Sequence, residues 1–415
     1  MKNNYAKKYK NLLFSMLFVM PLLFANGAVG AENEQLPFEQ WLAELRSEAL
    51  REGISSATLD QVLDDLKPLE KVIELDRRQP EFTQTFWSYL DARITDWRIN
   101  RGKAMLEKHR KLLTDVEKQY GVPARYLVAF WGMETNYGNY LGKFATVASL
   151  VTLAYDPRRS SFFRKQLIDS LRIIDQGHVT KEKMRGSWAG AVGHLQFMPS
   201  TFLKYATDGD GDKRIDVWGN LPDVFASGGH YLNSIGWRYG ELWGREVRLP
   251  EGFELSQASL KNRKPVSYWR SQGIAKSDGR LLPKDAALGA IILPQGAQGP
   301  AFLVYENFDV IMDWNRSISY AIAVGHLADR LVDMPPLRNG READNRPLSF
   351  EAAEAMQTYL NLLGFDAGVP DGVAGRQTRA AVRAYQASVG LPEDGFPSVS
   401  LLERLQGKLE SQMLD

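Results

Sequence analysis

Residues 131–138 read WGMETNYG and stand at the end of a predicted apolar helix. Glu134 is the only acidic residue of this stretch, and Trp131, Met133 and Tyr137 lie close to it in sequence. A carboxyl group packed against such side chains loses hydration, so its pKa rises and it can stay protonated near neutral pH. A general acid needs that protonated state. The alternative is a helix-end glutamate that is exposed to water.

The composition is that of an ordinary globular protein and excludes several kinds of chemistry. The 415 residues are 44% apolar and 24% charged, with 51 basic and 50 acidic side chains. The absence of cysteine excludes disulfide scaffolds, cysteine-ligated zinc and thiol catalysis. The five histidines form no His-Glu-x-x-His pattern, which argues against a zinc amidase or peptidase.

The first 31 residues have the layout of a secretory signal peptide. Four lysines precede an apolar run from Leu12 to Phe24, and the small residues Val29-Gly30-Ala31 suit a cleavage site. The alternative is a membrane anchor, but the run is shorter than the roughly 20 residues that span a bilayer. After cleavage 47 basic and 50 acidic residues remain, a net charge of −3. We therefore expect a periplasmic protein with no stable membrane insertion and no nucleic-acid partner.

The remaining chain divides into two folded units. Residues 32–333 are predicted to be mainly helical, with a small β-containing insertion around Gly289–Leu293 and Ala301–Tyr305. The polar, proline-bearing segment 334–347 predicts an interdomain linker. Residues 348–410 predict three helices joined by Asp-Gly turns.

Five short motifs occur in a fixed order along the larger unit. They are ETNYG at 134–138, DPRR at 156–159, GSWAGAVGHLQFMPSTF at 186–202, WNRS at 314–317, and Tyr320-Ala321. Together they resemble the lytic murein transglycosylase B family, from about residue 36 to about residue 332. The resemblance implies a mainly α (α+β) fold with a lysozyme-like catalytic core and a small β-containing insertion.

The resemblance also implies the site. The family's single catalytic acid/base falls on Glu134. Trp314 stands where the family more often has tyrosine, so a stacking role is retained and a hydroxyl role is not. His194 stands where small or polar residues are more usual. The residues that match substrate contacts are Arg158, Arg159, Ser187, Gln196, Phe197, Tyr231, Trp314, Asn315 and Tyr320.

Most glycosidases use two carboxylates, whereas only one, Glu134, is assigned here. Peptidoglycan can supply the second group, because N-acetylmuramic acid carries an acetamido oxygen beside its anomeric carbon. The resemblance implies that Glu134 protonates the glycosidic oxygen and then deprotonates the C6 hydroxyl of the sugar, which attacks C1. The product is a 1,6-anhydro sugar, no water is consumed and no cofactor is required. The alternatives are a hydrolytic muramidase and a non-catalytic wall-binding protein.

An acidic loop, DGDGDKRID at 208–216, predicts a structural calcium site. Asp208, Asp210, Asp212 and Asp216 match positions 1, 3, 5 and 9 of an EF-hand-like loop, with the Arg214 carbonyl at position 7. Position 6 is a lysine and position 12 a glycine, so the resemblance assigns the closing ligand to Asp223. The alternatives are a solvated acidic turn, or magnesium or sodium in place of calcium.

The C-terminal unit carries GVPDGVAGRQT at 368–378 and a near-repeat, GLPEDG, at 390–395. With Met356-Gln357 and Leu360, these motifs resemble the peptidoglycan-binding domain type 1 family. The resemblance implies binding to peptidoglycan strands, which would raise the local concentration of substrate. The alternative is a helical spacer without a ligand.

Overall fold

Helices dominate the computed structural model, which describes residues 35–78, 84–342 and 346–414. The predicted signal peptide, 1–31, lies outside the described residues. The helices are α1 (Phe38–Arg51), α2 (Ser56–Leu63), α3 (Glu70–Arg78), α4 (Phe86–Arg93), α5 (Asp96–Lys108), α6 (Arg110–Tyr120), α7 (Ala124–Thr135), α8 (Thr146–Tyr155), α9 (Ser160–Asp175), α10 (Pro199–Tyr205), α11 (Leu221–Ser234), α12 (Val266–Ser271), α13 (Glu306–Trp314), α14 (Ile318–Arg330), α15 (Phe350–Leu362), α16 (Arg376–Ser388) and α17 (Val399–Leu414).

The described residues also form seven short strands: β1 (Phe144–Ala145), β2 (Arg185–Gly186), β3 (Gly244–Arg248), β4 (Lys264–Pro265), β5 (Ala275–Lys276), β6 (Leu288–Ile292) and β7 (Ala301–Val304). The pair β1–β2 stands apart, and the others form one antiparallel sheet in the order β4-β6-β7-β3-β5. The predicted mainly α fold with a small β insertion is confirmed.

Helix α7 is the centre of the larger unit. Its residues from Tyr126 to Trp131 are all buried, as expected for a helix that is apolar on every side. It packs against α5, α6, α11 and α14. The preceding helix α6 ends at Gly121, whose φ of 70° is the left-handed conformation that glycine adopts at low cost.

The five-stranded sheet is buried on both faces, which follows from the alternation of side chains along a strand. Ala290 and Ile292 of β6, with Phe302 and Val304 of β7, face the helical core. Their neighbours Ile291, Ala301 and Leu303 face a second apolar cluster that contains Trp269 of α12. The sheet is therefore fixed to the helices on one side and closed by its own small lobe on the other.

The segment that the sequence predicts as a linker packs against the larger unit over its described part. Trp87 donates its indole N–H to the Gly340 carbonyl at 2.8 Å. The Arg341 guanidinium lies 4.1 Å from the Trp87 ring centroid and makes two bonds, of 2.8 and 3.0 Å, to Asp91. Glu246 accepts the backbone N–H groups of residues 338 and 339.

Three helices, α15, α16 and α17, form the C-terminal module around a core of its own. The buried apolar residues of this core are Met356, Leu360, Ala367, Ala381, Val382, Tyr385, Leu401 and Leu405. Among the described residues of the whole chain, no helix combines the length and the apolar character that crossing a membrane requires.

Two titratable groups one turn apart on α14, the buried His326 and the largely buried Asp329, give opposite pH dependences of stability. Burial lowers the pKa of His326 to about 4, so its contribution to stability is present above pH 6.5 and is lost as the pH falls towards 4. Burial raises the pKa of Asp329 to about 6, so its contribution is present below pH 3.8 and is lost as the pH rises through 6.

We expect His326→Gln to reduce the loss of stability on acidification, and Asp329→Asn to stabilise the protein at pH 7 and make acidification more damaging. Each change is worth up to about 3 kcal/mol, from about 1.4 kcal/mol per pKa unit. Denaturant unfolding between pH 4 and pH 8 measures both. If the free energy of unfolding of both variants changed with pH in parallel with that of the unsubstituted protein, the assignment of these pH dependences to His326 and Asp329 would be wrong.

Candidate active site

Glu134 lies one residue before the end of α7, where the chain reverses direction. Asn136, Tyr137 and Gly138 follow with φ angles of 51°, 60° and 79°. Three consecutive left-handed residues, two of them not glycine, are costly and persist only where their surroundings hold them. The structure shows what holds each of them.

Tyr137 is held inside the helix bundle. Its ring packs against Gly132, where a Cβ atom would come within 2.6 Å of the ring, and its hydroxyl donates to the Arg98 carbonyl at 2.7 Å. The Arg98 guanidinium in turn donates to Asn136 Oδ1, with Nε at 3.1 Å. The TNYG part of the motif therefore builds the end of the helix that carries Glu134.

His194 connects the second motif to the same helix end. Trp131 donates its indole N–H to His194 Nδ1 at 2.8 Å, and the Thr135 hydroxyl donates to the His194 carbonyl at 2.8 Å. Burial lowers the pKa of His194, which favours the neutral ring that can accept this bond. Gly138 lies directly against the imidazole, so a larger residue there would collide with it.

The Glu134 carboxylate meets two uncharged donors. Trp314 Nε1 donates to Glu134 Oε1 at 3.1 Å, and the Tyr320 hydroxyl donates to the same oxygen. Tyr320 is buried, and this burial together with the Glu134 charge raises its pKa well above the usual value. Tyr320 therefore remains a neutral donor throughout the range in which a carboxyl group titrates.

Aromatic rings from separate elements meet at Trp314. Its ring centroid lies 4.3 Å from that of Phe130, 5.0 Å from Tyr231 and 5.4 Å from Phe197. Tyr231 continues the row to Tyr205, at 4.6 Å. Four of the residues predicted to contact substrate, namely Phe197, Tyr231, Trp314 and Tyr320, are thus brought together beside Glu134. The sequence did not predict that Trp314 and Tyr320 contact the Glu134 carboxylate.

Ser187 and Gln196 make hydrogen bonds within their own loop. Ser187 Oγ accepts the Ala191 N–H at 3.0 Å. Gln196 has a φ of 51°, and its Nε2 donates to the carbonyls of Leu141 and Gly193 at 3.1 and 3.0 Å. Asn315, at the end of α13, is exposed. Ser187 and Gln196 therefore shape the loop 186–197, which faces α7.

Arg158 and Arg159 bind a buried carboxylate. Arg158 Nη1 lies 2.9 Å from Asp76 Oδ2, Arg159 pairs with Asp76 Oδ1, and Asp76 is only 2% exposed. The Arg159 guanidinium also lies 4.9 Å from the Phe163 ring centroid. This partner was not predicted from the sequence, because Asp76 lies about 80 residues earlier, on α3.

The acidic loop brings three carboxylates together. Asp208, Asp210 and Asp212 each offer an oxygen, and these oxygens all lie within 4.8 Å of one another. Lys213, at the sixth position, has a φ of 72°, the left-handed conformation for which glycine is usual there. The oxygens form a hard ligand set of the kind that calcium prefers.

Asp223 and Asp216 complete the loop by hydrogen bonds. Asp223 is fully buried, and its two oxygens accept the N–H groups of Gly209 and Asp216 at 2.7 and 2.6 Å. Burial, with the charges of Asp208 and Asp210 nearby, raises the pKa of Asp223. Asp216 also accepts a bond from the Arg214 side chain at 3.2 Å.

Comparison with known proteins identifies the family of this chain. Residues 37–329 match the family model of the transglycosylase SLT domain, and residues 351–405 match that of a peptidoglycan binding domain. The chain belongs to the SLT transglycosylase family. This confirms the resemblance predicted from the motifs, the lysozyme-like fold class and the enzyme class, a peptidoglycan lytic transglycosylase.

Several relatives are similar over most of this SLT transglycosylase. Structures of SltB3 from Pseudomonas aeruginosa, in complex with NAG-anhNAM-pentapeptide or NAG-NAM-pentapeptide, are 42% identical, with a TM-score of 0.86 over 89% of this chain and 99% of theirs. The membrane-bound lytic murein transglycosylase B of Escherichia coli is 27% identical over 292 residues, 67% of this chain and 78% of that protein. The Escherichia coli lytic transglycosylase Slt35 in complex with calcium is 25% identical, with a TM-score of 0.61 over 73% of this chain and 95% of that one.

The contact between Gly132 and Tyr137 can be tested directly. We expect Gly132→Ala to destabilise the protein by about 1–3 kcal/mol, the usual range for overpacking a core, and to reduce activity because the helix end moves. In a Tyr137→Ala background the same substitution costs much less, because the colliding ring is absent. Thermal unfolding of the unsubstituted protein, the two single variants and the double variant measures this difference. If the losses of stability in the two single variants simply add in the double variant, the explanation is wrong.

Proposed function

We propose that this transglycosylase cleaves the β-1,4 bond between N-acetylmuramic acid and N-acetylglucosamine in peptidoglycan, leaving 1,6-anhydro-N-acetylmuramic acid ends. Glu134 is the single acid/base of this proposal. The observation that supports it most directly is a carboxylate at the end of a buried helix, with two neutral donors on one oxygen and aromatic rings beside it. The SltB3 complexes contain ligands of this chemistry, one of them with the anhydro sugar.

The proton balance of the reaction needs no second carboxylate. Glu134 gives its proton to the glycosidic oxygen as the bond from C1 to that oxygen breaks. The resulting carboxylate then takes the proton of the C6 hydroxyl as the C6 oxygen bonds to C1, which restores the acid. Hydrogen bonds from Tyr320 and Trp314 stabilise the carboxylate that exists between the two steps.

The aromatic row supports binding of sugar rings. Tyr231 and Trp314 are only partly buried and lie close to the carboxylate, with the buried ring of Phe197 packed against both. The flat apolar faces of Tyr231 and Trp314 suit the apolar faces of sugars. Ser187, Gln196, Asn315 and the Arg158–Arg159 pair remain proposed contacts further along the strand. The location that gives access to this substrate is the periplasm, reached through the predicted signal peptide.

We also propose that the acidic loop binds a structural calcium ion through Asp208, Asp210, Asp212, the Arg214 carbonyl, Asp216 and Asp223. Three carboxylates this close repel one another unless a cation lies among them. The related Slt35 structure in complex with calcium supports the choice of ion. The ion would strengthen the junction between this loop and the start of α11.

The products of peptidoglycan digestion test the reaction. We expect the unsubstituted protein to release anhydro-muropeptides from purified sacculi, detected by mass, and Glu134→Gln to release none. Tyr320→Phe is the graded control: it keeps Glu134 but removes one donor, so the rate falls about tenfold while the product stays the same. Products one water heavier, with reducing ends, would instead identify a hydrolytic muramidase.

Thermal unfolding tests the calcium proposal. We expect millimolar calcium to raise the melting temperature of the larger unit by several degrees, because an ion that binds only the folded state stabilises it. Asp210→Asn/Asp212→Asn should abolish the shift, and magnesium should give a smaller one. A shift that survives the double substitution would place the ion elsewhere.

A further inference from the structure

The C-terminal module contains the same loop twice. In loop A, residues 368–373, Gln357 of α15 donates to Asp371 Oδ1 at 2.9 Å and accepts the Gly372 N–H at 2.9 Å. Asp371 Oδ1 also accepts the Val373 N–H at 2.9 Å. One oxygen of Asp371 is thus used to shape the loop.

Loop B, residues 391–396, repeats this pattern. Gln386 of α16 donates to Asp394 Oδ1 at 2.7 Å and accepts the Gly395 N–H at 2.8 Å, and Asp394 Oδ1 accepts the Phe396 N–H at 2.8 Å. The glycine after the aspartate has nearly the same φ in both loops, 71° in A and 68° in B. Both loops therefore present the second oxygen of their aspartate in an equivalent setting.

Loop B binds a peptide segment of the chain itself. Asp394 Oδ2 accepts the backbone N–H of Ala297 at 2.8 Å. The adjoining Gly296 lies so close to Phe396 that a Cβ atom on it would come within 2.9 Å of the Phe396 Cβ. This loop thus captures a peptide N–H between two small residues and packs an apolar side chain against them.

Loop A has the same acceptor and remains exposed. Within the described residues, Asp371 Oδ2 accepts no hydrogen bond, and the Asp371 side chain is exposed. Val369 is 80% exposed, and Val373, the counterpart of Phe396, is 44% exposed. The half-exposed ring of Phe350 lies against Gly372. Asp371 Oδ2, which could accept an amide N–H, therefore lies among exposed apolar side chains.

We propose that loop A is the ligand site of the module and binds the peptide stems of peptidoglycan, with Asp371 Oδ2 accepting a backbone N–H of the stem. The peptide that loop B holds has small residues, and stem peptides contain alanine, which fits the same space. The Gln357 hydrogen bond lowers the pKa of Asp371, so the acceptor is charged at neutral pH. This site rests on the proposed action on peptidoglycan and specifies how the second unit recognises it.

Binding of the full chain to sacculi tests the site, with Glu134→Gln as the parent so that nothing is cleaved. Asp371→Asn replaces Oδ2 by a donor and leaves an oxygen for Gln357 and Val373, so we expect affinity to fall about tenfold. Val369→Ser, at a position whose side chain is 80% exposed, should also weaken binding. Glu393→Gln removes an equal charge from an exposed position in loop B and should leave affinity within twofold. Parent-like affinity in both Asp371→Asn and Val369→Ser would overturn the proposal.

A second arm separates peptide from glycan. Sacculi from which an amidase has removed the stems should bind the parent about tenfold more weakly, with no further loss in Asp371→Asn. Undiminished binding to the stripped glycan would overturn the peptide assignment. Failure of the proposed function is distinguishable, because the chain with Glu134 intact would then release no anhydro-muropeptides from sacculi.

Discussion

The reversal of the chain after Glu134 is the constraint on which the site depends. A helix end of three left-handed residues is unfavourable in isolation, and here it is held by a ring packed on Gly132 and by bonds to Arg98 and His194. Because α7 is buried on every side, its end cannot shift without moving the core. The position of one carboxylate is thus fixed by packing that extends from α5 to the loop 186–197.

Local patterns in the sequence predicted much of the fold. The apolar run of α7 and the β-prone runs of β6 and β7 are local signals, and each forms the element that it predicts. The docking of residues 334–342 could not be predicted in the same way. It depends on Trp87 and Asp91, some 250 residues earlier, and a polar segment with prolines carries no signal of its distant partner.

The candidate site, like the fold, could be predicted from the sequence only in part. The motif around Glu134 predicted a functional carboxylate there, and family resemblance named Phe197, Tyr231, Trp314 and Tyr320, whose rings the structure brings together beside Glu134. What the sequence could not supply is which atoms touch. Trp314 lacks the tyrosine hydroxyl that the family more often has there, yet its indole N–H donates a hydrogen bond to the carboxylate. His194, unusual in its motif, proves to bind the helix end.

The charge state of the donors bears on the proposal that one carboxylate serves as both acid and base. A cation in contact with Glu134 would favour its ionised form so strongly that it could no longer give up a proton near neutral pH. Tyr320 and Trp314 are neutral donors, so each stabilises the carboxylate by a hydrogen bond without adding a positive charge. The two arginines of the DPRR motif bind the buried carboxylate of Asp76, together with Arg77. In the proposed reaction one group acts first as acid and then as base, and neutral donors of this kind stabilise its carboxylate without a fixed positive charge that would hold it ionised.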